Sequence, residues 1–413
     1  MAEGGPDRGV PGALEAPIPR RVFLEPLWNL HALQHQMLAY PPDGYEFVTL
    51  QTPPEKLFHA AARWGSARSL LKVADSLVPV GLAKALLQKR RKLAAETVLT
   101  YAVDHLVFRP EPWVVEVEYA GALLGGHPRH LRRFWHIAQR TLSSPLCRRI
   151  LCWSQVGRQS LADLGGEAFE HKIDVVYYAV PPKGFARQCR RGPVKLLLVG
   201  SGTSKGAFEG RGSEVFEVFR LLRERYPSLE LVVRSDVPVY VKRRYGGMEG
   251  VRIIDQVVPR EVLEQEFQTA DIFLFPSYHT LPSTILEAMS YELPVVTIAS
   301  WANAEYVEDG KTGLVTPRSG KVPPYFADTR QPSFLASSFS QAMRAPDRDA
   351  VVALVATVAT LIESPELRQR LGKAARWEVE QGKFSLKRMN AHLARIFGEA
   401  IGHDEHTRCW DRQ

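Results

Sequence analysis

"ADIFLFPSYHTLPSTILEAMSYELPVVTIAS", residues 270–300, decides the fold. Its opening "DIFLFPS" (271–277) is an almost wholly apolar run of strand length, the pattern of a strand buried on both faces. A Pro-Ser loop follows, then an apolar helix entered through "LPST", then a Val-rich strand. Apolar strands alternating with helices imply a parallel sheet.

The same alternation extends in both directions. Upstream stand the strand "KLLLVGSG" (195–202), a helix over about 213–226, the strands "LELVVRS" (229–235) and "VRIID" (251–255), and the helix "REVLEQEFQTA" (260–270). Val215, Phe219, Leu222 and Tyr226 fall on one face of the first helix at helical spacing. Downstream, an Asp-Gly turn closes "EYVEDGKTGLVTP". The Pro- and Ser-rich 316–349 reads as an inserted loop, and three helices are expected at about 350–362, 365–381 and 385–401.

A second alternating series occupies the first part of the chain. Strands are expected at "RRVFLEPL" (20–27), "YEFVTLQ" (45–51), "DHLVFR" (104–109), "PWVVEVEYAG" (112–121) and "RRILCWS" (148–154), with helices at 29–40 and 155–165. A turn-rich segment at 171–195 reads as a linker, which puts the domain boundary near 185. The expected organisation is a disordered tail at 1–19, one α/β domain at 20–185, a second at 186–400, and a short tail at 401–413. A chain of 413 residues is long enough for two such cores.

Composition is that of an ordinary globular chain, 45% apolar and 24% charged. No apolar run approaches the roughly 20 residues that span a bilayer, and the opening "MAEGGPDRGVPGALEAPIPR" has no signal-peptide core. The expected location is the cytoplasm. Cys147, Cys152, Cys189 and Cys409 lack metal or disulfide spacing and read as plain thiols. The net charge of +8 favours anionic partners, and much of it lies before residue 160 in "QKRRK", "RHLRRF" and "CRR". The stretch 66–92 alternates apolar and basic positions, as an ordinary surface helix does and as a helix on an anionic membrane does.

Open parallel sheets gather ligands beyond the carboxyl ends of their strands, so chemistry is sought in the loops after Val199, Val233 and Phe275. The first, "GSGTSKGAFEGRGSEVF" (200–216), places Gly202, Lys205, Arg211 and Gly212 just before a helix. Glycines admit close backbone approach, and cations beside free helix amides attract phosphate. Neither the Walker spacing nor the strict dinucleotide fingerprint is present, and a flexible surface loop has the same composition. The loop after Phe275 carries His279 and leads into a helix whose first turn exposes amides near Ser283 and Thr284, with Glu287 one turn on. A carboxylate at Glu287 can accept from both hydroxyls of a diol such as ribose. Two strand carboxylates, Glu116 and Glu118, are each able to face a cleft or to serve the core.

The ordered set "ADIFLFPS", "LPSTILEAMS", "LPVV", "EYVEDGKTGLVTP" and "LIESPELRQRLGKAAR" resembles the donor-binding half of the retaining glycosyltransferases of family 4. The resemblance covers about 195–400; in the first half only "RRILCWSQVGRQSL" is similar. It implies the GT-B type of fold, two Rossmann-like domains facing each other across a cleft. It also implies transfer of a sugar from a nucleotide-diphosphate sugar to an acceptor, with retention of configuration and no metal or other cofactor. Residue by residue, Glu287 matches the Glu that holds the donor ribose, and Arg211 before Gly212 matches the diphosphate-binding cation, with Lys205 as a second. The amides of Ser283 and Thr284 add to that site. His279 stands where the family has its sugar-contacting Glu. The family's first-domain His has candidates in His31, His105 and His127.

The expected partners are therefore the nucleotide sugar, a glycan or lipid-linked cell-envelope acceptor, and an anionic membrane touched from its inner face, rather than nucleic acid. Two other functions share the architecture. One is nucleotide-sugar epimerisation, and the other is silent nucleotide-sugar binding, to which the His279 substitution points.

Overall fold

In a computed structural model the protein is described at residues 18–26, 30, 32–49, 79–88, 96–126, 128–185, 187, 192–200, 208, 212, 214–318 and 345–410. The amphipathic stretch 66–92 is described only from residue 79 to 88, and the inserted loop only outside 319–344.

Among the described residues twelve strands form two six-stranded sheets. The first contains β1 (Arg20–Pro26), β2 (Tyr45–Val48), β3 (Thr97–Val103), β4 (Trp113–Val117), β5 (Cys147–Cys152) and β6 (Ile173–Val175), in the order β2-β1-β3-β4-β5-β6. The second contains β7 (Lys195–Val199), β8 (Glu230–Arg234), β9 (Val251–Ile254), β10 (Ile272–Phe275), β11 (Val295–Ile298) and β12 (Gly313–Thr316), in the order β12-β11-β10-β7-β8-β9. Every pairing is parallel, and β10 meets β11 with Phe273 opposite Val295. The doubly wound α/β architecture read from the sequence is the one observed.

Each sheet is covered on both faces because its strands are apolar at odd and even positions alike. In β10, Ile272 and Leu274 join the core beneath the Val215–Arg225 and Arg348–Glu363 helices, while Phe273 and Phe275 join the core beneath the Pro282–Ser290 and Pro365–Glu380 helices. All four are fully buried, each contributing roughly 1.5–3 kcal/mol of transfer free energy. Among the described residues no single helix is long and apolar enough to cross a membrane. One pair, Arg348–Glu363 with Pro365–Glu380, passes together but is bent by 100°, and its Leu354, Val358, Leu361 and Leu371 are buried against the second sheet.

Three expectations need correcting. The run 104–109 is not a strand. The strand is β3, which ends where Asp104 turns to a positive φ of 53°, and the apolar Leu106 and Val107 are buried in a loop. That loop is anchored by Arg109, whose guanidinium donates to Glu25 at 3.1 and 2.6 Å and to Glu111 at 2.8 Å. Pro128–Ser143 forms a helix that the periodicity reading passed over, with Leu131, Ala138 and Leu142 buried and a row of arginines outside. Finally, the Leu386–Trp410 helix, expected in the second domain, buries Met389, Leu393, Ile396, Phe397, Ala400 and Ile401 against Val22, Leu24, Leu99 and Tyr101 of the first sheet. Its apolar stripe needed a partner, and the outer face of the first sheet supplied one.

Candidate functional site

In the second sheet the chain runs β7-β8-β9 to one side of β7 and returns through β10-β11-β12 on the other. The switch point therefore lies between β7 and β10, and the two loops singled out in the sequence leave from those strands. Gly200 ends β7 in a close approach: a Cβ there would lie 2.6 Å from Ser235 Oγ. Its amide donates to Arg234 O at 2.8 Å, and Arg234 Nη1 returns a bond to Gly200 O at 2.9 Å. Gly212 sits 2.8 Å, measured from a Cβ built on it, from Leu198 of β7, so the start of the following helix lies directly over the strand. Gly202, Lys205 and Arg211 lie outside the described residues.

The loop from β10 to the Pro282–Ser290 helix is held by side chains that the motif reading did not weigh. Asn303, fully buried, donates through Nδ2 to Ser277 O at 2.7 Å and to Ile298 O at 3.1 Å, and its Oδ1 accepts from Thr280 at 2.8 Å. Thr280 Oγ1 in turn accepts from the Ala302 amide at 3.0 Å. Ser300 donates to Tyr278 O at 3.1 Å, and Ser277 Oγ bonds both the carbonyl and the amide of His279. The backbone around His279 is therefore fixed on both sides. Nothing in "SWANAEY" marks these residues, because their role depends on contacts across two loops.

The two expected amides differ. Thr284 N–H donates to Leu281 O at 3.1 Å within the first helical turn, so it is already committed to the fold. Pro282 has no N–H. Of this turn, the Ser283 amide is the donor left for a ligand.

His279 and Glu287 face different surroundings. The His279 ring looks across to the first half, where Nε2 lies 3.4 Å from Glu118 Oε1. Glu118 follows β4 at its carboxyl end, with its amide bonded to Asp104 Oδ1 at 3.0 Å. Its carbonyl sits 2.6 Å from where a Cβ on Gly157 would fall, so only glycine there lets the Gln155–Ala162 helix pack this closely. Glu287 is held by two cations: Oε1 is paired with Arg260 of its own half and stands 3.7 Å from Lys183 Nζ of the connecting segment. Both cations also meet Glu264, at 2.9 and 3.7 Å. Oε1 is thus the oxygen of Glu287 that the cations hold.

Of the two β4 carboxylates, Glu116 is structural. It is buried and accepts from Gln34 at 2.7 Å, from Tyr101 at 2.6 Å and from Tyr178, and burial raises its pKa against those bonds. Asp104 is pushed up to about 7, chiefly by burial and further by the Glu116 charge, with the Glu118 amide opposing. His105 lies in the core with Nε2 3.6 Å from Glu25, whereas His31 and His127 fall outside the described residues. Of the three candidates, the one among the described residues, His105, therefore lies in the core.

The halves are joined beside this site. Glu305 accepts from the Gln155 and Val156 amides at 2.7 and 2.9 Å and from Tyr177 OH at 2.8 Å. A second-half carboxylate thus caps a first-half helix, where its charge complements the helix dipole. Tyr306 OH donates to Trp153 O at 2.8 Å, and Tyr119 stacks edge-on against Trp301 with centroids 6.1 Å apart. Among the described residues no group of three or more His, Cys, Asp or Glu is placed to hold a metal ion. Cys147 and Cys152 are buried free thiols, the former pushed up to about 12 by burial, while Cys189 and the Cys409 side chain lie outside the described residues.

Residues 211–329 match the family described as group 1 glycosyl transferases. No curated protein matches the chain. Among solved structures, HepE of Anabaena, crystallised with UDP and glucose, aligns with a TM-score of 0.56 at 15% identity, over 92% of this chain and 99% of its own. Sucrose-phosphate synthase of Thermosynechococcus elongatus aligns with a TM-score of 0.54 at 14% identity, over 93% and 89%. The pneumococcal O-GlcNAc transferase GtfA, crystallised with UDP and GlcNAc, aligns at 0.52 and 12% identity over 73% and 57%. These likenesses establish the GT-B type of fold, two Rossmann-like domains across a cleft.

Proposed function

We propose that the protein transfers a sugar from a nucleoside-diphosphate sugar to a glycan or lipid-linked acceptor, with retention of configuration and without a metal. The observation that carries this reading is where the group 1 match falls: residues 211–329 take in the β10 loop, the Pro282–Ser290 helix and the start of the helix after the β7 loop. Glu287, held through Oε1, offers its other oxygen to the ribose diol. The Ser283 amide and the cations Arg211 and Lys205 take the diphosphate, whose leaving charge is the main electrostatic demand of the reaction. Gly202 and Gly212 let the backbone come close, and His279 meets the sugar. UDP is the nucleotide to try first, since HepE and GtfA were each crystallised with it.

On the acceptor side, the Pro128–Ser143 helix turns Arg129, Arg132, Arg133, His136 and Arg140 outward. It packs on the same short Ala120–Leu124 segment as the Val80–Gln88 helix, which exposes Leu86 and Leu87. Exposed basic and apolar groups on helices packed against one segment suit peripheral contact with an anionic membrane surface. Binding to acidic vesicles at low salt, lost as salt rises, is the expected behaviour; no sedimentation with such vesicles at low salt would remove the membrane from the reading.

The function is tested by incubating the protein with a panel of nucleotide sugars, with and without lipid extract and with and without EDTA. Nucleotide diphosphate should be released with an acceptor present, and EDTA should change nothing. Recovery of the donor with an inverted sugar centre would indicate an epimerase instead. Neither release nor calorimetric binding of UDP, GDP or ADP would leave the proposed activity without support.

A further inference from the structure

On the reading of the cleft as a donor-sugar site, we propose that Glu118 contacts the transferred sugar jointly with His279, the two halves of the molecule each contributing one side of a single hydroxyl-binding pair. Glu118 leaves the carboxyl end of β4 and His279 the carboxyl end of β10, so both stand where parallel sheets present ligand groups. Their side chains are 17% and 11% exposed and 3.4 Å apart, shielded yet reachable.

The two backbones are held in place independently. Glu118 is fixed by Asp104 and by the close approach of Gly157, and His279 by Ser277 together with the Asn303 network. Fastening the halves together does not require this pair. That task is carried by the Glu305 carboxylate on two backbone amides and Tyr177, and by the Tyr306 bond to Trp153.

The strand itself separates the two roles. Glu116 is turned inward and its oxygens are taken by Gln34, Tyr101 and Tyr178, while Glu118, two residues on, is turned to the loop. An imidazole offers one donor and one acceptor, and a carboxylate accepts through two oxygens. Together they offer adjacent sugar hydroxyls a donor as well as acceptors, which the carboxylate alone does not supply. A sugar entering between them exchanges their mutual contact for one hydroxyl on each.

The test uses Glu118→Ala and the reciprocal series Glu118→His, His279→Glu and the double exchange, all in the full chain, with thermal unfolding as the check on folding. UDP binding is read by calorimetry, and turnover is read as UDP release from UDP-glucose and UDP-N-acetylglucosamine. Glu118→Ala should leave UDP affinity within about twofold and lower turnover by about tenfold or more, the loss of one hydrogen bond to a charged group. Each single exchange sets like groups opposite one another and should lower turnover further, while the double exchange should regain about tenfold over either single. The proposal is overturned if Glu118→Ala turns over like the parent, if it loses UDP affinity as severely as turnover, or if the double exchange is no better than the singles. Failure of the parent to bind UDP at all would instead overturn the donor-site reading on which the pair rests.

Discussion

The two sheets are both six-stranded and parallel, with different strand orders, and they also differ in what they bury. The strands of the second fill its faces with Leu196 to Leu198, Ile272 to Phe275 and Val295, Val296 and Ile298, and their buried polar residues are Lys195, Thr297 and Thr316. The first encloses Glu25, Gln34, Thr100, His105, Arg109 and Glu116, paired with one another across as many as 84 residues of sequence. Apolar packing tolerates approximate fit, whereas a buried carboxylate requires each of its donors in place. Both halves hold buried long-range polar partners, such as Lys195 with Glu266 in the second, but only the strands of the first bury carboxylates, Glu25 and Glu116.

The largest effect that sharpens this contrast should come from Phe273→Ala. It removes a fully buried ring between Phe267 and Phe275 and should cost about 3–5 kcal/mol in urea unfolding, with the same cost at all pH values. A loss that varied with pH would break the comparison. Glu116→Leu in the first sheet should cost about 3 kcal/mol, because Tyr101, Tyr178 and Gln34 lose their shared acceptor. Glu116→Gln, which keeps an acceptor, should cost less. Equal losses from the two variants would mean that volume rather than hydrogen bonding governs this site.

The next prediction concerns pH. Asp104 is raised from 3.8 to about 7 in the folded protein, so the native state holds its proton more tightly than the unfolded chain. Stability from this group is highest at low pH, falls as pH rises from about 4 to about 7, and is level above. Asp104→Asn keeps the oxygen that accepts from Glu118 and should remove this decline, worth about 1–2 kcal/mol after relaxation of a partly reachable group. Glu25 works in the opposite direction. Burial favours its protonated form, but His105 and Arg109 hold it down at about 2 against 4.5. Its contribution is present above pH 4.5 and disappears as pH falls toward 2. Thermal unfolding across pH 3–8 separates the two windows, and an unchanged profile in Asp104→Asn would remove Asp104 from the account.

The smallest effect should lie in the nucleotide contact. Glu287→Ala should weaken UDP binding by about 1–2 kcal/mol, while His279→Ala should leave it unchanged, since Glu287 is the proposed ribose contact and His279 faces Glu118 of the opposite half. Calorimetry with UDP decides. Equal weakening by both would merge two positions that the structure holds apart.

Legibility in the sequence followed the same division. β10 and the Pro282–Ser290 helix were readable because an apolar run, a proline at a helix start and a second apolar run are each local signals. The strand β3 was displaced onto 104–109 because "HLVF" is as apolar as "VLTYAV", and only the bonds from Arg109 to Glu25 make the later run a loop. In the site, His279 and Glu287 were legible as positions. Which strand carboxylate faced the loop was not, since Glu116 and Glu118 share one side of an ideal strand and only the turn after Val117 separates them. The commitment of the Thr284 amide to Leu281 was likewise invisible to residue type.

The helix that returns to the first sheet has a consequence for the order of events during synthesis. Val22, Leu24, Leu99 and Tyr101 are made early, yet the residues that cover them, Met389 to Ile401, emerge more than 280 positions after Tyr101. Domains that close on themselves can fold as they leave the ribosome; this first domain has Met37, Val176 and Ala179 on that face of its sheet, but lacks the rest of its cover until the second has been made. Completion of the earlier half thus awaits the later one, and during translation the partly covered face is the surface on which a chaperone would act.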